Sequence, residues 1–168
     1  MKSIFKLLFV AFLTLAPLTA NAQSNVAHIN VQQLISEMPE VIAAQNELAK
    51  LEKDYTTQID NAFKEFQTKA QSYSSDAANQ TDVTNQARQK ELESMQTNLQ
   101  EFRDSAAQEL QKKQMDLMTP LLEKARNAIT KVGEEQGFNY VIDSSPNGGI
   151  ILANGKDLLA DVKKELGF

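Results

Sequence analysis

The sequence predicts an α+β protein in which a long antiparallel helical hairpin, of coiled-coil type, projects from a small β-rich body shared between copies of the chain. Three observations carry that expectation. From Glu40 to Thr119 there are eighty residues without one Gly or Pro. Those two residues disfavour a helix interior by roughly 1 and 3 kcal/mol relative to Ala, so the stretch reads as helix folded back at most once. All six glycines lie at or after Gly133, which gathers turns and strands at the C-terminal end. The strand-like runs are few and short, too little for a self-sufficient core.

The first 22 residues read as a leader rather than as part of the fold. Lys2 and Lys6 give a basic start, Leu7 to Ala16 an apolar run, and Ala20-Asn21-Ala22 a small-x-small cleavage site. The expected mature chain begins at Gln23 and keeps no stable membrane anchor, because the apolar run is about half of the ~20 residues a span requires. Without the leader the net charge is −7, which argues against nucleic acid or an anionic membrane surface as the main partner. The chain has no cysteine, so helix packing and association must supply what disulfides give many exported proteins.

Val26 to Val31 (VAHINV) reads as the first strand, with Ala27, Ile29 and Val31 on one face and His28 and Asn30 on the other. Gln32 to Glu37 reads as a short helix or turn, and Pro39 suits the first turn of the next helix. The first long helix carries an apolar seam of Leu48, Leu51, Tyr55, Ile59, Phe63, Phe66, Ala70 and Tyr73 at steps of three and four. Ser74 to Gln86 is poor in apolar residues, and Asn79, Thr81 and Asp82 suit a reversal there. The returning helix continues the seam through Leu92, Met95, Leu99, Phe102, Ala106, Leu110, Leu117, Leu121, Ala125, Ile129 and Val132. A reversal near residue 80 puts Pro39 level with residue 121. Pro39 and Pro120 are therefore the expected root of the hairpin, and Pro120 the expected site of a kink. Forty residues at 1.5 Å each reach roughly 60 Å.

Past Gly137 the pattern changes. Phe138 to Asp143 (FNYVID) reads as a strand with Phe138, Tyr140 and Ile142 on one face. Pro146-Asn147-Gly148-Gly149 reads as a tight hairpin turn, Ile150 to Ala153 as the returning strand, and Asp157 as the cap of a last helix bearing Leu158, Leu159, Val162 and Leu166. The first strand must then join the C-terminal pair across the whole hairpin. Three strands and a short helix make a poor solitary core, and a cyclic homo-oligomer pooling its strands would complete it.

Catalysis has little material. His28 is the one histidine, reads as an outward polar residue, and has no cysteine to work with. Gly148-Gly149 lies in a turn rather than before a helix, so it is no phosphate loop. No carboxylate cluster has metal-ligand spacing. The sequence predicts no enzyme, no cofactor and no metal.

The order of these segments resembles the Skp (OmpH-like) family of periplasmic chaperones over essentially the whole mature chain. The resemblance rests on Ile29-Asn30-Val31-Gln32-Gln33-Leu34, on the Gln/Lys/Glu-rich hairpin, and on Leu117-Met118-Thr119-Pro120-Leu121-Leu122. Its strongest part is Glu134-Glu135-Gln136-Gly137-Phe138-Asn139-Tyr140-Val141-Ile142-Asp143. It implies a homotrimer whose chains share a small β-barrel body, from which three hairpins enclose a cavity. Unfolded outer-membrane proteins would be held there without ATP, in the periplasm. On this reading residues 23–37 and 121–168 form the oligomerisation body and residues 38–120 the hairpin. Ile29, Val31, Phe138, Tyr140, Ile142, Ile150 and Leu152 belong to the body. Phe63, Phe66, Tyr73, Met95 and Phe102 are the candidates for client contact, set against their plainer reading as seam residues. Residues 38–120 carry 9 basic and 14 acidic groups, so neither lipopolysaccharide binding nor basic client steering is carried over from the family. The rival reading is a periplasmic coiled-coil spacer or adaptor of an envelope assembly.

Overall fold

A computed structural model describes residues 25–146 and 148–168; the leader expected over residues 1–22 lies outside them. In chain order the elements are β1 (Val26–Ile29), α1 (Val31–Glu37), α2 (Pro39–Asp76), a 3-10 turn (Ala77–Asn79), α3 (Asp82–Glu135), β2 (Tyr140–Asp143), β3 (Lys156–Asp157) and α4 (Leu159–Leu166). The fold is mostly helical, with two long antiparallel helices and one small sheet.

The hairpin follows the sequence closely. Pro39 opens α2 at its first turn. The reversal is the 3-10 turn, and Thr81 caps α3 by accepting a hydrogen bond from the Thr84 N–H at 3.2 Å. Helix α3 then runs 54 residues, unbroken through Pro120. Proline's missing N–H removes one helical hydrogen bond there without ending the helix. The expected level of the two prolines is met: Glu40 bridges Lys124 at 2.5 Å, just inside the root.

Helix α3 ends on Gly137, whose φ of +74° is cheap only for glycine. The Phe138 N–H reaches back to the Gly133 carbonyl at 2.9 Å and the Gly137 N–H to Glu134 at 3.0 Å, a Schellman ending. It turns the chain into β2 beside β1. Gly133 makes that approach possible, since a Cβ there would lie 2.8 Å from a Val141 methyl.

The sheet departs from the sequence reading in four ways. Its order is β2-β1-β3 and both pairings are parallel. Strand β1 stops at Ile29; Asn30 caps α1 by accepting from the Gln33 N–H at 2.9 Å, so Val31 is the first helical residue and not a strand residue. Phe138 precedes β2 instead of opening it, held by the helix ending just described. Ile150 to Ala153 forms no strand, and the third strand is Lys156–Asp157. No antiparallel hairpin therefore joins β2 to its successor. The chain instead loops over the sheet's edge and enters on the far side of β1. His28 is half-buried, not fully outward, with Nδ1 3.1 Å from the Ser144 hydroxyl.

The core lies where the hairpin meets the sheet. Ile29, Leu34, Met38, Val41, Leu158 and Val162 are fully buried, and Ala27, Ala125, Ala128 and Val132 complete the cluster. Asp157 accepts from the Leu159 N–H at 2.9 Å and so starts α4, which delivers Leu158 and Val162 to the core. Burial of each large side chain stabilises by about 1.5–3 kcal/mol. Leu158→Ala and Leu34→Ala are each expected to cost about 2–5 kcal/mol in chemical denaturation. Val83→Ala, on the exposed first turn of α3, should stay within about 0.5 kcal/mol of the parent.

Candidate functional site: the hairpin arm and the bare face of the sheet

Two surfaces distinguish this chain. The first is the arm. Its seam side chains are half-buried to buried along most of its length, and Tyr55 meets Phe102 edge-on with ring centres 6.0 Å apart. Ions bridge the helices at intervals: Glu40 to Lys124, Glu47 to Lys113 at 2.8 Å, and Glu91 to Lys69 at 2.5 Å. Near the tip these bridges become a network. Glu91 accepts from Lys69 and from the Tyr73 hydroxyl at 2.7 Å, Arg88 lies 4.7 Å over the Tyr73 ring, and its guanidinium donates to Asp76 at 3.0 Å. Asp76 also takes hydrogen bonds from Asn79 and Gln80 in the turn.

The ionisation equilibria follow the contacts. Lys69, then Tyr73, holds the Glu91 carboxyl below its ordinary value. Arg88, then Asn79, does the same for Asp76, and Lys124 for Glu40. In return Glu91 raises Lys69 and Glu47 raises Lys113.

The second surface belongs to the sheet. In-register pairing sets Ala27 beside Val141 facing the core, and Val26 beside Tyr140 facing away. Tyr140 is 62 % exposed, and Val26 and Ile142 are exposed beside it. In the loop that follows, Ile151 is 100 % and Leu152 75 % exposed. Both outer strands, β2 and β3, leave an edge unpaired among the described residues. Parallel sheets are ordinarily covered on both faces, and open apolar edges invite another strand. An apolar cleft of about 520 Å³, lined by Val31, Ile35, Leu122, Ile129 and Phe138 among others, opens alongside at the root of the arm.

A polar joint fixes the sheet to the arm. Asp143, at the end of β2, accepts from the Ser145 hydroxyl at 2.6 Å, the Ser145 N–H at 2.9 Å and the Val31 N–H at 3.3 Å. Burial pushes its carboxyl up, but those three donors outweigh burial and leave it below the ordinary range. Buried Ser145 in turn accepts from the Gln32 N–H at 3.0 Å.

The family profile for Outer membrane protein (OmpH-like) matches residues 25–166. The chain belongs to the OmpH-like family. Its relatives include the Chaperone protein Skp of Yersinia enterocolitica, 26 % identical over 159 residues and covering 92 % of this chain and 93 % of that protein. The Chaperone protein Skp of Pectobacterium atrosepticum is 20 % identical over 151 residues, covering 90 % of each. The fold is similar to a crystal structure described as an OmpH-like outer membrane chaperone from Caulobacter crescentus. Its TM-score is 0.76 at 12 % identity, over 86 % of this chain and 85 % of that one. The OmpH-like family is one of chaperones, not of enzymes.

Within this OmpH-like arm, Phe66, Tyr73, Met95 and Phe102 sit half-buried along the seam, while Phe63 is exposed and stacks on Phe66 with ring centres 6.5 Å apart. Tyr73 is the most committed, tied to Glu91 and covered by Arg88. Of the residues expected in the body, Ile29 is deep in the core and Val31 and Phe138 are half-buried beside it. Tyr140, Ile142, Ile150 and Leu152 stand exposed. Pro39 and Pro120 are both exposed at the root. Sequence reasoning passed over the Asp143–Ser145 joint and Ile151. The Asp-Ser-Ser run after a strand was the available signal for the first. Ile151 is invisible as a surface residue until the strand it was assigned to proves absent. Among the described residues no group of acidic or histidine side chains is placed to hold a metal, and no helix is long and apolar enough to cross a membrane.

The lowered carboxyls contribute stability that is complete above their ordinary pKa of about 4 and is lost as pH falls through the lowered values. The raised lysines contribute stability that is complete below about 10.4 and is lost as pH rises through theirs. Helical melting followed by circular dichroism should therefore hold steady between those limits and fall outside them. Glu91→Gln should shrink the acid-side fall, and an unchanged acid limb would contradict the bridging role.

Proposed function

We propose that this protein is an ATP-independent holdase of the periplasm that binds unfolded outer-membrane β-barrel proteins and keeps them from aggregating. The working form on this reading is a homotrimer. Residues 23–37 and 121–168 would build its shared β-barrel body and residues 38–120 its arms, with the clients lying between them. The observation that carries the reading is the bare apolar face of the sheet, Val26, Tyr140 and Ile142, next to the exposed Ile150-Ile151-Leu152 segment. A monomer would leave this surface in water, at a cost of about 25 cal/mol per Å² of apolar area. Membership of a chaperone family and an arm with no catalytic constellation among its described residues support the same reading.

Holding without ATP calls for many weak contacts instead of one tight pocket, because release must follow when the client inserts and folds elsewhere and mass action empties the complex. Two paired helices about 60 Å long, at 1.5 Å per residue, offer such an extended surface. The arm is anchored firmly at one end only, so arms of several copies can spread around clients of different size.

Light scattering on the mature protein is expected to give the mass of three chains, and a dimer or monomer would refute the trimer. Stoichiometric trimer should suppress the turbidity of a β-barrel client diluted from urea. Ile151→Asp with Tyr140→Asp is expected to lower the mass to that of a monomer while the arm's helicity by circular dichroism is largely kept.

A further inference from the structure

The root half of the arm has two unlike flanks. One flank carries the ion pairs Glu40–Lys124 and Glu47–Lys113. A hollow on that flank is lined by Pro120, Lys124, Asn127 and Lys131. Ile42 stands two residues beyond Glu40, Met115 two beyond Lys113, and Leu122 two before Lys124. At about 100° per residue, each lies roughly 160° round its helix from the bridging residue. The buried Val41 faces the partner helix between Glu40 and Ile42. The second flank is therefore apolar. Ile42 is 46 %, Met115 55 % and Leu122 45 % exposed. Half-buried Met118 lies between Met115 and Leu122 on the same stripe. Leu122 and Ile35 continue the strip into the cleft at the root.

We propose that this strip, Ile42, Met115, Met118 and Leu122, is a client-binding surface for unfolded β-barrel segments, and that the ion-paired flank is turned away from them. The proposal rests on the holdase reading above and adds where on the arm the client lies. A β-barrel strand alternates apolar and polar side chains, so it presents one apolar row and no fixed shape. Methionine, unbranched and polarisable, conforms to such varied rows. The apolar surface of the body is different in kind: aromatic and aliphatic groups on a sheet edge, suited to a fixed contact between copies. Seven residues from Met115 to Leu122 span about 10.5 Å of helix, which matches about three alternate side chains of an extended strand.

Photo-crosslinking tests the assignment in the full mature protein. A photoreactive amino acid is placed at Met115 on the strip or at Asn127 on the ion-paired flank, and a urea-unfolded β-barrel client is added. Adducts with client are expected at Met115 and at least fivefold fewer at Asn127. Ile42→Glu with Met115→Glu, both at exposed positions, should weaken client binding tenfold or more with the oligomer mass and helicity unchanged. Adducts at Met115 with another copy of the chain instead would overturn the proposal in favour of a subunit contact. Equal labelling of the two flanks, or unchanged binding by the double variant, overturns it while leaving the chaperone reading intact. Failure of the parent protein to bind client at all removes both.

Discussion

Ile29, Leu34, Met38 and Val41 pack against Ala125, Ala128 and Val132 from the end of α3 and against Leu158 and Val162 from the end of the chain. On this contact the rest of the structure depends. It joins three pieces of chain that the arm separates, and it holds β1 where both β2 and β3 can pair with it. The geometry is possible because the intervening residues are not loose chain. Local helical hydrogen bonds and the seam collapse them into a hairpin whose two ends emerge side by side, which lowers the entropy of bringing Val26 to Tyr140. The order of cause therefore runs from reversal to hairpin to sheet.

The arm was the legible part of the sequence. Helix content, the reversal at Ala77–Thr81, the seam and the level of the two prolines all follow from local rules: 3.6-residue periodicity, capping and the absence of Gly and Pro. The sheet was less legible, for physical reasons. Four-residue strands carry too little alternation to fix their ends, so Val31 was read as strand when Asn30 had already capped a helix. Asn-Gly with flanking apolar residues is a hairpin signal, yet Ile150 to Ala153 makes no pairing within this chain. Parallel pairing to β1 from both sides is a long-range outcome with no local signature.

The apolar residues left in water divide into two groups with different chemistry. Those of the body lie on a sheet face and beside unpaired strand edges, where geometry is exacting and a second copy can repeat it. Those of the arm lie along a helix flank, include flexible methionine and face no strand edge. A surface that must always meet the same neighbour and one that must accept many are served by these two chemistries respectively. The charged bridges on the arm's other flank keep the two helices in register while contributing little each to stability. The Asp143–Ser145 joint makes the arm and the sheet one mechanical unit, so force on the arm reaches the body directly.

The central claim is that the core at the root is completed by other copies of the chain. The melting temperature as a function of protein concentration tests this most directly, since folding coupled to association obeys mass action. The account predicts that hundredfold dilution lowers the melting temperature by several degrees, with the sheet and the root of the arm lost together. A melting temperature independent of concentration down to the nanomolar range would contradict it.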